Sequence, residues 1–273
     1  MMPINISYCS DTGLNFVVIG IGEAGKRAIE SYSYPSHEQK NDFWIDNIVL
    51  CSKESFQYMY DSPVLEHQKI CQDINKANLV FILVDTNNEA DCIDAYEMAS
   101  LINSQKGSYD FTICVYCGTR NCTASHRLKS VYDKLIYVED ATLLNHPSYL
   151  ICMNFLRVGW IGVDYADIIN ILNKLSSGVF CQFISNDIIT ISEELLALSS
   201  NIKNAGLDKS ETLHALVHIT ITPTTSLETV DKIILEIGKT IQGEMAWSAH
   251  INDDMSDNNL SISIIYGEPK NQD

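Results

Sequence analysis

The sequence predicts an α/β fold, with a doubly wound parallel-sheet domain in its first half and a smaller α+β domain in its second half. In the first half, short apolar runs alternate with segments whose apolar residues recur at helical spacing. These runs are apolar at consecutive positions, which is typical of parallel strands covered on both faces. In the second half the order of helices and strands changes, and the last two strands follow one another directly.

Five apolar runs predict the strands of the first domain. The first, NFVVIGIG, ends in glycines and continues as a helix over EAGKRAIESY. A longer helical pattern with a closing glycine, EADCIDAYEMASLINSQKG, lies between the third and fourth runs. Parallel strands need such crossovers, so the order indicates a doubly wound sheet. The runs are Asn15–Gly22, Asp46–Cys51, Ala77–Thr86, Phe111–Gly118 and Lys134–Asp140.

The second half predicts a mixed sheet with helices. A short helix near Ser148–Val158 precedes the segment GWIGVDYADI, and a helix follows over Tyr165–Leu175. Next come a strand (GVFCQFI), a helix (DIITISEELLALSSNIKNAG), a strand (HALVHITIT), a helix opened by a capping box from Thr225 to Glu228, and two strands (EMAWSAHIN and LSISIIYG). We predict a Rossmann-like domain over 1–147, a shortened central helix and loop over 148–164, and an α+β domain over 165–273.

Composition and charge exclude several classes of protein. The chain has 273 residues, of which 46% are hydrophobic, and it has no apolar run near the ~18 residues that span a membrane. Its formal net charge is −17, with 35 acidic and 18 basic residues, so we expect neither nucleic acid nor an anionic membrane as a partner. The start of the chain lacks the basic and apolar regions of a signal peptide, which predicts a cytoplasmic protein.

Nine cysteines in a cytoplasmic chain are expected to remain thiols. Cys114, Cys117, Cys122 and His126 have a spacing that a zinc site can use. However, Cys114 and Cys117 lie on a predicted strand, where their odd offset directs the two side chains to opposite faces. We therefore predict no metal site.

The glycines of GIGEAG, which are Gly20, Gly22 and Gly25, follow a strand and open a helix. This is the context of a dinucleotide-binding loop, although the acidic residue expected to bind ribose is represented only by the distant Glu54. Lys26 follows Gly25 as in a P-loop, but Arg27 replaces the Ser or Thr that would bind magnesium. A third interpretation is a tight turn that packs without a ligand.

Asp164 and Asp167 lie three residues apart at the start of a predicted helix. Asp164 is a suitable N-cap, and Asp167 would be at N3, where a negative charge favours the positive end of the helix. Carboxylates can also position water or a cation, so local sequence leaves both structural and chemical roles open.

Three segments together resemble the FtsZ/tubulin family, in the family's order. They are FVVIGIGEAGKRAI, similar to its first phosphate loop; GWIGVDYADI, similar to the loop that one subunit inserts into its neighbour's nucleotide site; and LHALVHIT with the elements after it, similar to the C-terminal domain. The resemblance spans about Asn15 to Gly267. It implies that Asp164 and Asp167 act on GTP held by a neighbouring subunit, and that Gly20, Gly22 and Gly25, with Lys26 and Arg27, bind nucleotide.

Other segments depart from the family pattern. Where the family has a second, glycine-rich phosphate loop, this chain has DTNNEADC, which contains the acids Asp85, Glu89 and Asp91 and no glycine. Glu23 occupies a first-loop position where the family has glycine, and Gly162 replaces the asparagine of the inserted loop. Lys26 and Arg27 offer compensating charge, although solvated helix cations are a simpler interpretation. The segment between Asp140 and Trp160 leaves room only for a truncated central helix, and we expect no membrane-tethering tail after YGEPKNQD.

These observations predict an FtsZ/tubulin-like protein with a degenerate nucleotide pocket and no hydrolytic activity. It would form or regulate filaments, head-to-tail with itself or with an FtsZ/tubulin-like subunit, through the Asp164/Asp167 loop. GTP and GDP are disfavoured as cofactors because phosphate would meet Glu23 and the acidic loop. Two alternatives stay open: a GTPase whose site forms between subunits, and a dinucleotide-binding protein that uses Gly20–Gly25.

Overall fold

A computed structural model of the protein describes residues 15–31, 48–52, 65–104, 109–120, 123–156, 161–185, 213–253, 255 and 259–267. The chain divides into two units, Met1–Tyr149 and Leu150–Asp273. The helix predicted over DIITISEELLALSSNIKNAG lies outside the described residues. No helix in the described ranges is long and apolar enough to cross a membrane.

The first unit contains a parallel sheet of strand order β2-β1-β3-β4-β5. The sheet confirms the doubly wound pattern, because the second strand lies outside the first and the third lies on its other side. Its elements are β1 (Phe16–Gly20), α1 (Gly22–Glu30), β2 (Ile48–Ser52), α2 (Leu65–Lys76), β3 (Leu79–Asp85), α3 (Glu89–Ser104), β4 (Phe111–Cys117), α4 (Thr123–Lys129), β5 (Lys134–Tyr137) and a 3-10 turn (Ala141–Leu143).

The core of the first unit follows from the uninterrupted apolar runs. Every residue of β1 and of β4 is buried, and so is every residue of β3 except its last. Alternate residues such as Val17, Ile19 and Ile82 belong to one cluster, which also includes Met98 and Ile102 from α3. Full burial of each such side chain contributes about 1.5–3 kcal/mol, so this packing holds the polar residues after each strand at one edge of the sheet.

The second unit contains a sheet of strand order β6-β9-β7-β8, in which β9 is antiparallel to both neighbours and β7 is parallel to β8. The helix α5 (His146–Leu156) begins two residues before the predicted Ser148, and it contains the boundary between the units. Residues 157 and 158, the last two of the predicted helix, lie outside the described residues. The remaining elements are α6 (Tyr165–Lys174), β6 (Gly178–Ser185), β7 (His214–Ile221), α7 (Leu227–Thr240), β8 (Met245–Ile251) and β9 (Leu260–Gly267).

The predicted capping box of α7 is wrong by one residue. The N-cap is Ser226 rather than Thr225, and its hydroxyl accepts a hydrogen bond from the Thr229 N–H at 3.2 Å. Thr225 instead closes a turn, in which its N–H donates to the Thr222 carbonyl and the two hydroxyls lie 3.0 Å apart. The hydroxyls of Thr225 and Ser226 are both suitable helix caps, but Thr225 is engaged in this turn, so Ser226 caps the helix.

Candidate functional site

The glycine loop joins β1 to α1, as the sequence predicts, and two of its glycines are required by packing alone. A Cβ atom on Gly20 would lie 2.3 Å from the Gly25 carbonyl oxygen, and one on Gly25 would lie 2.5 Å from the Leu83 carbonyl oxygen. The Ile21 N–H donates to that same Leu83 oxygen at 2.9 Å. The close approach of α1 to β1 and β3 therefore accounts for these two glycines without any ligand.

Gly22, the third glycine, faces a carboxylate. Its φ of 69° is in the left-handed region, and a Cβ atom there would lie 2.1 Å from Oδ2 of Asp91. Asp91 is in the first turn of α3 and is only 9% exposed. A buried carboxyl group thus adjoins the N-terminus of α1, the position where helix N–H groups and the helix dipole favour negative charge.

Glu23 and Arg27 lie on the exposed surface of α1. Arg27 Nε is 3.6 Å from Glu23 Oε1, in an i,i+4 pair whose side chains are about 70% exposed. The same Nε donates to the Glu23 carbonyl at 3.4 Å. The Arg27 guanidinium is therefore engaged along its own helix, as a solvated helix cation is. Lys26, the other predicted cation of this site, is at the preceding position of the helix and is partly buried.

The second loop, between β3 and α3, uses its own N–H groups internally. The Thr86 N–H donates to the Cys117 carbonyl at 2.9 Å, and the Asn87 N–H donates to Asp85 Oδ1 at 2.9 Å. Asn88 caps α3 by accepting from the Ala90 N–H at 3.0 Å. A phosphate-binding loop directs such N–H groups outward to the anion. Here they stabilise the loop and the helix.

The two acids of the inserted loop have different environments. Asp164 is the N-cap of α6, where its Oδ1 accepts from the Asp167 N–H at 2.8 Å. Asp167 is at N3, with an exposed side chain. This arrangement confirms the capping role predicted for Asp164, and it leaves the Asp167 carboxylate directed to the surface. Gly162 has open space around it, with nothing within 4 Å of the position a Cβ atom would occupy.

Asp167 lines a hollow of about 410 Å³ on the second unit, together with Gly162, Asn170, Glu244 and Trp247. The loop is attached to the sheet by two hydrogen bonds between Ile161 and Ala249 of β8, at 3.0 and 3.2 Å. Glu244 forms an ion pair with Lys174 and accepts from Asn170 Nδ2 at 3.2 Å. The hydrogen bond from Lys174 lowers the pKa of Glu244 below its usual range, and the Lys174 cation balances the charge of this carboxylate.

We expect Asp164→Ala to lower the free energy of unfolding by about 1 kcal/mol, because the Asp167 N–H loses its acceptor. Asp164→Asn should cost no more than a few tenths of a kcal/mol, since asparagine caps helices about as well as aspartate. Urea unfolding of both variants measures the difference. Equal losses in the two variants would show that the charge of Asp164, rather than its capping bond, stabilises the fold.

The predicted strand position of Cys114 and Cys117 is correct, and both thiols are buried on β4. Burial, with the neighbouring Asp85 carboxylate, raises the pKa of Cys117 to about 12. Cys122 lies outside the described residues. Among the residues that are described, no group of three or more His, Cys, Asp or Glu side chains is arranged to hold a metal ion.

No protein-family model matches this chain, and no curated protein matches it. Solved structures do match it. An FtsZ dimer from M. jannaschii is 14% identical with a TM-score of 0.72, over 96% of this chain and 90% of that one. A GTPγS-bound CetZ2 protofilament from Haloferax volcanii is 12% identical with a TM-score of 0.56, over 94% of each chain. TubZ of Bacillus thuringiensis serovar israelensis, in GDP-form protofilaments, is 9% identical with a TM-score of 0.55, over 94% and 86%.

The chain therefore has the FtsZ/tubulin-like fold, and the resemblance predicted from its sequence is confirmed at the level of the fold. Sequence reasoning placed Asp91 in an acidic loop but did not predict its contact with Gly22. The only available signal was an acid in the first turn of the helix after β3. That signal does not specify the partner, because α1 and α3 meet only in the folded sheet.

Proposed function

We propose that this protein is an FtsZ/tubulin-like interaction protein with a degenerate nucleotide pocket, which forms or regulates filaments and does not hydrolyse nucleotide. The observation that carries the proposal is the Asp91 carboxylate against Gly22, at the N-terminus of α1. Asp91 serves there as an internal substitute for phosphate. It satisfies the positive end of the helix and removes the need for an external anion.

A guanine nucleotide does not fit this arrangement. The phosphates of GTP or GDP would have to approach the first glycine loop, where Asp91 lies, and the exposed Glu23 is the next residue of that loop. Two like charges 4 Å apart repel by about 4 kcal/mol at an effective dielectric constant of 20. The second loop offers no compensation, because the N–H groups of Thr86, Asn87 and Ala90 already have acceptors.

The surface around Asp167 supports the interaction role. It combines an exposed carboxylate, a hollow and the half-buried Trp247, and buried tryptophans often anchor protein interfaces. The CetZ2 and TubZ structures that share the fold are protofilaments. We therefore propose head-to-tail contact through the Asp164/Asp167 loop, with another copy of this chain or with an FtsZ/tubulin-like subunit.

The proposal is tested in two measurements. Calorimetric titration with GTP and with GDP is expected to give no binding heat, and neither nucleotide should raise the melting temperature. Mixing the protein with a GTP-hydrolysing FtsZ is expected to change the rate of hydrolysis or the filament length, and Asp167→Asn should reduce that change. Asp253→Asn, which alters an exposed acid elsewhere in the second unit, is the matched control.

If GTP binds with micromolar affinity and the rate of GTP hydrolysis per chain rises with protein concentration, the proposal of a degenerate pocket is wrong and the GTPase alternative is favoured. A melting shift with NAD or NADP would favour the dinucleotide alternative. If the protein neither assembles nor affects the FtsZ reaction, or if both acid variants act like the native protein, docking through this loop is wrong.

A further inference from the structure

A groove of about 690 Å³ lies between α3 and α4 on the first unit. Its apolar lining includes Ile93 and Tyr96 of α3, which are 48% and 44% exposed, and Ala124 of α4. Large side chains of this kind are usually covered, and here two of them converge on one concave surface. The volume lies within the range of about 300–1,000 Å³ that is typical of small-molecule sites.

The groove changes from polar to apolar to cationic along its length. Both helices start at the same edge of the sheet, since β3 and β4 are parallel and end in register at Asp85 and Cys117. Glu89 and Thr123, the first residues of the helices, therefore line one end. Tyr96 and Arg127 lie further along, and Glu89 to Tyr96 spans two turns of α3, about 10 Å at 1.5 Å per residue.

Polar groups of this groove are available to a ligand. In the described part of the chain, the Arg127 guanidinium has no carboxylate within ion-pair distance, whereas Arg27 pairs with Glu23 and Arg120 lies over the Tyr137 ring. The Asn87 amide and the Thr123 hydroxyl, at the opposite end, also make no side-chain hydrogen bond to any described residue.

The length of the apolar section of the groove indicates that its ligand is a small molecule rather than a helical peptide. It extends over about one turn, from Cys92 to Tyr96, and polar or charged residues close it at both ends. A docked helix needs anchors at i, i+3 or i+4 and i+7, which require a longer apolar groove. A flat ring system matches the available length.

We infer that this groove binds a planar aromatic carboxylate about 10 Å long, with a hydroxyl group at the end opposite its carboxylate. The carboxylate pairs with Arg127, and the rings lie between Ile93, Tyr96 and Ala124. The hydroxyl donates to Glu89 or accepts from Thr123 at the other end. This site does not include the glycine loop, although its polar end contains Thr86, Asn87 and Glu89 of the second loop. Its test needs no nucleotide, so it can fail while the proposed function stands.

The test uses 6-hydroxy-2-naphthoate, a fluorescent probe with this arrangement of groups, titrated into the native protein. We expect one site per chain, and Arg127→Gln and Tyr96→Ala should each weaken binding about tenfold or more. Lys129→Gln is the matched control, because Lys129 is an exposed cation on the same helix that does not line the groove. All of these side chains are on the surface, so melting temperatures should match that of the native protein.

A neutral probe, 2-naphthol, separates recognition of the carboxylate from simple apolar adsorption, and we expect it to bind about tenfold more weakly. Equal binding of the two probes would overturn the inference, as would the absence of binding at about 1 mM. An equal loss in Lys129→Gln and Arg127→Gln would also overturn it, because it would indicate attraction by general charge. Nucleotide binding does not enter into any of these outcomes.

Discussion

Gly20→Ala is expected to lower the free energy of unfolding by about 3 kcal/mol, the upper range for overpacking a closely packed interior. The added methyl group would lie 2.3 Å from the Gly25 carbonyl oxygen and 2.7 Å from Cδ1 of Ile29. The Ile29 side chain can move, but the Gly25 oxygen is part of the helix backbone. Relief therefore requires α1 to move away from β1, and the first turn of α1 is itself bonded to β3 through Ile21.

Equilibrium unfolding in urea measures this loss, and Gly162→Ala is its matched control. Gly162 has no atom within 4 Å of the position of a Cβ atom and does not have a positive φ, so its replacement should change stability by less than about 0.5 kcal/mol. A similar, small effect at both positions would show that the turn between β1 and α1 is looser than the packing of its glycines indicates.

Gly22→Ala is expected to cost about 2–4 kcal/mol, from two separable causes. Alanine in the left-handed region costs about 1–2 kcal/mol, and the clash with Asp91 adds the remainder. When Asp91 is also replaced by alanine, the carboxylate is absent, and Gly22→Ala costs only the free energy of placing alanine in the left-handed region. The double-mutant cycle should therefore give a coupling free energy of about 1 kcal/mol or more between the two residues.

Unfolding of the two single variants and the double variant supplies that cycle. Glu97→Ala, an exposed acid on the same helix as Asp91, serves as a control that should not couple to Gly22→Ala. If the losses in free energy of unfolding caused by Gly22→Ala and Asp91→Ala are additive, the Asp91 carboxylate does not interact with the glycine loop. The proposed internal substitute for phosphate would then be wrong.

Together these variants distinguish a glycine loop that serves packing from one that serves a ligand. Gly20 and Gly25 approach backbone atoms, and Gly22 approaches a side chain of the same unit. Each has a reason to be glycine without nucleotide. The G-x-G-x-x-G pattern by itself therefore cannot report binding, because a tight strand-to-helix turn and a phosphate cradle require the same freedom from a Cβ atom.

Much of the fold could be predicted because its signals are local. The runs that became β1, β3 and β4 are apolar at consecutive positions, and α6 begins at Tyr165 as its spacing indicates. The cap at Asp164 could also be predicted, since the donor and acceptor lie three residues apart. Sequence reasoning missed two helices, α2 and α4. The seven residues of α4 bury only Ser125 and Leu128 and are too few to show a helical period.

The sequence by itself determined the order and type of most elements, the FtsZ/tubulin resemblance and the acidic character of the loop after β3, since each depends on neighbouring residues. Only the tertiary structure decided which acid lies at the glycine loop, and that the exposed residues of α3 and α4 line one groove. The physical reason is that side chains on different helices come together only when the parallel sheet sets the spacing and direction of those helices. The Asp91 carboxyl group on α3 comes to lie against Gly22 only after β1 and β3 have paired and brought α1 beside it.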